Sequence, residues 1–206
     1  MQTWISNYVM ARMLWDADTD LDELKTDFYT TFFGPAAGLH VRAWWDACEE
    51  ALLNASIQAH EDWLLSHIYT GDFARSLMKH VTAARTAQTT PAQKERVEAF
   101  ARIADHLLAF GEANDAEKVL DYARAADACA RMLQRERELH EIYPFFHEYR
   151  NEAHARRAYF PGGREDKLRE LAAKTDGKTG ERIASMPLEI AFRRDPFNEG
   201  IVAGWH

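Results

Sequence analysis

The chain contains little cysteine: Cys48 and Cys129 are the two in 206 residues. They have no CxxC spacing, and each sits among apolar residues of helical pattern, so they read as buried free thiols. No apolar run approaches the ~20 residues that a membrane helix needs. Positive charge is also scarce, with 25 Lys and Arg against 33 Asp and Glu and a net charge of −8. A phosphate backbone demands clustered Lys and Arg, so neither nucleic acid nor membrane is expected as a partner. There is no glycine-rich phosphate loop and no GxSxG. His147-Glu148 opens like HExxH, but Asn151 stands where the second histidine belongs. No Glu precedes a His by three residues, which removes the ligand pattern of ferritin-like bundles. His140, His147 and His154 are spaced by seven, roughly 10 Å apart along a helix, too far for one ion. The expectation is therefore no metal site and no cofactor. Met1-Gln2-Thr3-Trp4 carries no basic n-region of a signal peptide, and no compartment is assigned.

What is present is helix. Hydrophobic residues make up 47% of the chain, enough for a sizeable core, and they recur at helical spacing. The first helix, Trp4 to Trp15, has Trp4, Tyr8, Ala11 and Trp15 on one face and Ile5, Val9 and Met13 on its neighbour. A helix apolar over most of its circumference is expected to be buried on several sides. An acidic turn follows, and Asp20 with Glu23 has capping-box spacing. Leu21, Leu24, Phe28 and Phe32 then line one face up to Phe33, where Gly34-Pro35 ends one helix and starts the next. A third helix to about Leu53 buries Val41, Trp44, Cys48 and Leu52. Residues 54–71 are less regular. A fourth helix begins after Thr70-Gly71. Thr90-Pro91-Ala92-Gln93 is a strong start for a fifth, expected to stop at Phe110-Gly111. Asn114 and Glu117 read as the cap of a sixth, running to about His140 before Pro144. Helical character resumes through Tyr149 and Arg157, Gly162-Gly163 reads as a break, and a short polar helix spans Glu165 to Lys174. The fold class expected is all-α, an irregular array of six to eight helices with a short extended C-terminal tail.

Two side-chain classes suggest chemistry. Carboxylates are plentiful (Glu49-Glu50, Glu61-Asp62, Glu136, Glu138, Glu141), but they sit on helices whose polar faces need charge, and read as solvated. A glycosidase pair must hold its carboxyls roughly 5–10 Å apart, which spacing in sequence does not show. The aromatics are the better candidates, because a tryptophan face covers a pyranose ring well. Trp15, Trp44, Trp45 and Trp63 read as core by their helical spacing, whereas Trp4 and Tyr8 near the start of the first helix remain open to a binding role.

Tyr8-Val9-Met10-Ala11-Arg12-Met13-Leu14-Trp15-Asp16, continued by Asp27-Phe28-Tyr29 and Phe33-Gly34-Pro35-Ala36-Ala37, resembles a signature of a bacterial glycoside-hydrolase-type family carrying a domain of unknown function. The first run also echoes the corresponding helix of alpha-glucuronidases, and the family is similar in outline to barrel proteins of the beta-hexosaminidase kind. Tyr69-Thr70 and Glu95-Arg96-Val97 extend the likeness to about residue 110. At the other end, Phe192-Arg193-Arg194-Asp195-Pro196 with Gly200 and Gly204-Trp205 is similar to the opening strands of jelly-roll sugar-binding domains.

The resemblance implies a connecting piece of a larger enzyme. Residues 1–16 would be the last helix of an absent catalytic barrel, 17–178 a helical domain, and 179–206 a linker with the start of a truncated β-sandwich. It implies carbohydrate as a partner through the parent enzyme, and an upstream barrel domain as the neighbour. No catalytic residue can be carried over, because the family's carboxylates lie upstream. Trp4, Asn7 and Tyr8 are the substrate-binding candidates: two aromatic walls and a hydroxyl partner near the barrel mouth, where loops build such sites. The competing reading is a stand-alone all-α interaction module without carbohydrate function.

Overall fold

The computed structural model of the protein describes residues 3–56, 61–144, 151–157 and 160–175; of residues 3, 4 and 61–63 it describes the backbone alone. Among the described residues nine helices follow one another: α1 (Thr3–Trp15), α2 (Leu21–Phe33), α3 (Pro35–Leu53), α4 (Glu61–Ile68), α5 (Gly71–Thr86), α6 (Pro91–Lys118), α7 (Tyr122–Ile142), α8 (Glu152–Ala155) and α9 (Pro161–Lys174). There is no strand among the described residues, and the protein is all-α. Residues 179–206, with the expected linker and strand, lie outside the described residues.

Local chemistry sets most helix starts. Asp20 accepts from the Glu23 N–H at 2.9 Å to cap α2. Thr70 does the same for α5 from Phe73 at 3.2 Å. At α6 both halves of the capping box form, Thr90 with the Gln93 backbone and the Gln93 side chain with the Thr90 N–H. Each satisfies helix-end donors that have no intrahelical partner. Gly34 turns the corner between α2 and α3 at φ +93°, a region that L side chains avoid, and Pro35 then fixes the first turn of α3.

Three expectations fail for tertiary reasons. Gly111 does not end α6. It sits in the helix interior where α6 crosses the start of α5, and a Cβ there would lie 2.5 Å from the Thr70 carbonyl carbon. The glycine permits a close crossing rather than a stop. Asn114 caps nothing: it is buried inside α6 and accepts from Arg164 of α9 at 2.6 Å. The true break is at Leu120, with φ of 60°, after which Asp121 caps α7 through the Arg124 N–H. Gly162-Gly163 does not break a helix either. Pro161 opens α9, and both glycines lie buried in its first turn against the Ala155–Arg157 backbone.

The helices pack as a chain of neighbours: α1 on α2, α2 on α3, α3 on α5, α5 on α6, α6 on α7, and α7 on α9. Two cores result. One is aromatic, built from Phe28, Tyr29, Phe33, Trp44 and Phe100 with Val41, Leu77 and Val81. The other, where α6, α7 and α9 meet, is built from alanines: Ala113, Ala116, Ala125, Ala126 and Ala128, with Cys129 and Leu168. Cys48 and Cys129 are buried free thiols. Burial pushes the Cys48 thiol up to about 12, and Cys129 up to about 11. Neither carries a thiolate for nucleophilic chemistry at neutral pH.

Candidate functional site

Helix α1 meets the rest of the protein over a narrow strip. Ile5 and Tyr8 reach the aromatic core, and the Tyr8 ring lies 5.5 Å from that of Phe28. Beyond that strip the side chains face outward. Met10 is 57%, Leu14 82% and Trp15 94% exposed. The expected burial of α1 on several sides therefore does not occur among the described residues. The core-packed residues Ile5 and Tyr8 lie in the N-terminal half of α1, and the strongly exposed ones in its C-terminal half.

A cleft of about 500 Å³ opens beside this strip, lined by Asn7 and Tyr8 from α1, by Asp27, Phe28, Thr31 and Phe32 from α2, and by Tyr143 at the end of α7. That volume lies within the range of small-molecule sites. Tyr8 donates its hydroxyl proton to Asp27 Oδ2, and Thr31 Oγ1 donates to Asp27 Oδ1 at 3.2 Å. Hydrogen bonds from Tyr8 and then Thr31 hold the Asp27 carboxyl below its ordinary value. The same bond to Asp27, with some burial, holds the Tyr8 phenol above its own. At neutral pH the pair is thus a carboxylate accepting from a protonated phenol. Arg96 donates to the Phe32 carbonyl at 2.9 Å and lies 4.3 Å over the Phe32 ring. The guanidinium thereby fixes one aromatic wall from behind.

Of the predicted site residues, Asn7 and Tyr8 come together in this cleft. Trp4 belongs to α1, but its side chain lies outside the described residues. Sequence reasoning missed Asp27, Thr31, Phe32 and Tyr143. Asp27 and Thr31 carried a signal, since residues four apart on a helix face the same way. Tyr143 carried none, because only the packing of α7 brings it there.

The arrangement offers aromatic faces, an amide and an ionised carboxylate with spare lone pairs, a set suited to hydroxyl-rich rings. Asp27 is the only carboxylate among its described lining residues, and glycoside cleavage needs two. Glu136, expected on a solvated face, is instead 4% exposed. It lies on the inner face of α7, 3.3 Å from His106 of α6. No cluster of three or more metal-binding side chains exists among the described residues, and no described helix is long and apolar enough to cross a membrane.

Residues 2–46 match a family model. Its description is "Domain of unknown function (DUF4838)". The match spans α1, α2 and the first part of α3, under a quarter of the chain, and takes in every described cleft residue except Tyr143. No curated protein and no solved structure matches the chain.

Proposed function

We propose that this chain is a non-catalytic helical segment of a carbohydrate-active, glycoside-hydrolase-like enzyme. It packs against the catalytic barrel through α1 and lines the sugar site with the Asn7–Tyr8 cleft. The observation that carries this reading is the outward face of α1. Met10 and Leu14 stand uncovered on the side of α1 away from the core-seated Ile5 and Tyr8, and Met13 and Trp15 stand uncovered near its C-terminal end. Contiguous exposed apolar side chains mark an interaction surface. The matched residues 2–46 contain both that face and most of the cleft beside it. Support for the sugar comes from the cleft's chemistry and from the resemblance of the Tyr8–Asp16 run to a helix that follows a barrel's last strand.

The test compares this chain with a protein extended upstream of Met1 through the adjoining coding sequence, on aryl glycosides and aryl uronides. The chain alone is expected to show no turnover, and the extended protein to show it. Asn7→Ala and Tyr8→Phe are each expected to lower kcat/KM of the extended protein roughly tenfold, by leaving a substrate hydroxyl unpaired. Leu14→Asp is expected to destabilise the extended protein, while changing the stability of this chain alone by no more than about 0.5 kcal/mol. Turnover by the chain alone overturns the reading. An active extended protein indifferent to Asn7 and Tyr8 removes the sugar wall. The same exposed face favours a second reading, an all-α interaction module without sugars, and an upstream sequence that encodes no barrel selects it.

A further inference from the structure

A second cavity of about 500 Å³ lies on the other side of α1 and shares no lining residue with the Asn7–Tyr8 cleft. Its walls are apolar and partly aromatic: Trp45 and Leu52 of α3, Tyr29 of α2, and Ile103 and Leu107 of α6. Three charged side chains join them. Lys25 Nζ meets Glu49 Oε2 at 3.5 Å, and Asp46 Oδ2 meets Arg42 Nε at 3.4 Å. Both are long, single contacts, and the two carboxylates are 59% and 49% exposed. Each therefore keeps lone pairs for another donor. Arg42 is not among the described lining residues and is shared with Asp22 at 3.0 Å, so the described lining carries two carboxylates against one lysine. His106 also lines the cavity, with the buried Glu136 at 3.3 Å from its Nε2.

We infer that this cavity binds a small organic amine with a ring-sized apolar body. The body fills the space between Trp45, Tyr29 and Leu107, and the ammonium meets Glu49 and Asp46. The volume is that of a small-molecule site. Aromatic faces attract a desolvating cation, and the protein's net charge of −8 raises the encounter rate with one. An anion of the same shape meets two carboxylates and gains one lysine that is already engaged. The inference is independent of the sugar reading, because neither its residues nor its ligand enter the Asn7–Tyr8 cleft.

Isothermal titration with three ligands of one shape tests it: 2-naphthylmethylamine, 2-naphthalenemethanol and 2-naphthoate. The amine is expected to bind one per chain, roughly tenfold more tightly than the alcohol, with the carboxylate weakest. Leu107→Trp, which fills the cavity, is expected to weaken the amine at least tenfold while the helical circular dichroism and Tm persist. Should Leu107→Trp not fold, Leu52→Trp blocks the same space on α3 and carries the same expectation. Glu49→Gln is expected to weaken the amine about threefold to tenfold and to leave the alcohol unchanged. Naphthoate binding as tightly as the amine, amine binding unchanged in a folded cavity-filled variant, or no amine binding at millimolar concentration overturns the inference.

Discussion

The two cores of this protein solve the same packing problem with opposite side chains. Around α2, α3 and the first half of α6 the core is made of rings. Phe100 sits edge-on to Trp44 at 5.5 Å and to Phe33 at 6.3 Å, with Phe28 stacked on Phe32 at 5.2 Å. Where α6, α7 and α9 meet, Ala113, Ala116, Ala125 and Ala126 are all fully buried, so the helix backbones approach closely. Rings hold helices apart and tile space imperfectly. Alanines bring helices together and leave no gap to fill. Both 500 Å³ spaces accordingly border the aromatic core, lined by Phe28 and Phe32 in one and by Tyr29, Trp44 and Trp45 in the other. The alanine half is also tied across its helices by charge. Arginine–carboxylate pairs fasten it, among them Arg164 to Glu117 at 2.8 Å and Arg135 to Asp105 at 2.7 Å. The two largest of the spaces described thus lie beside the large core side chains.

The largest expected effect breaks the aromatic half. Phe100 is 1% exposed and touches both large neighbours. Phe100→Ala is expected to cost about 3–5 kcal/mol in denaturant unfolding; a loss under about 1 kcal/mol would mean that this core collapses to fill the void. In the alanine half the opposite change is the damaging one. Ala126→Leu, at a position with no exposed surface, is expected to cost about 1–3 kcal/mol by overpacking. A neutral result would show slack between helices that the comparison denies. The smallest effect concerns the fastening charges. Glu112 of α6 takes hydrogen bonds from Arg75 of α5 and Arg131 of α7. Burial alone would raise its carboxyl, but the two guanidiniums together outweigh it and hold the group below its ordinary value. A carboxylate depressed on folding stabilises above its unfolded pKa of about 4.3 and loses that contribution as pH falls through the folded value. Glu112→Gln is therefore expected to cost about 1 kcal/mol at pH 7, with the difference from the parent shrinking below about pH 4. A gap that stays constant down to pH 3 would assign the cost to packing instead of charge.

The helix ends at Asp20, Thr70 and Thr90 could be read from sequence because each cap is satisfied within three residues of itself. The corner at Gly34-Pro35 could be read for the same local reason. The buried stripe Val41, Trp44 and Cys48 followed from spacing alone, since a 3.6-residue period needs no knowledge of the partner. Spacing could not say which apolar faces find one. Trp15 shares its face with Tyr8 in the sequence, yet Tyr8 reaches the core and Trp15 is 94% exposed, because periodicity does not say how far along a helix the core extends. Gly111 looked like a terminator and Asn114 like a cap, as their residue types usually are. Their roles in a close crossing and an arginine contact arise from α5 and α9, distant in sequence. In the cleft, Asn7 and Tyr8 come from one helix and neighbouring positions, whereas packing brings Asp27 and Tyr143 to them. Short-range hydrogen bonds and helical periodicity were thus fixed by the chain itself. Which surfaces meet, and what space is left between them, depended on side-chain volumes brought together across the whole fold.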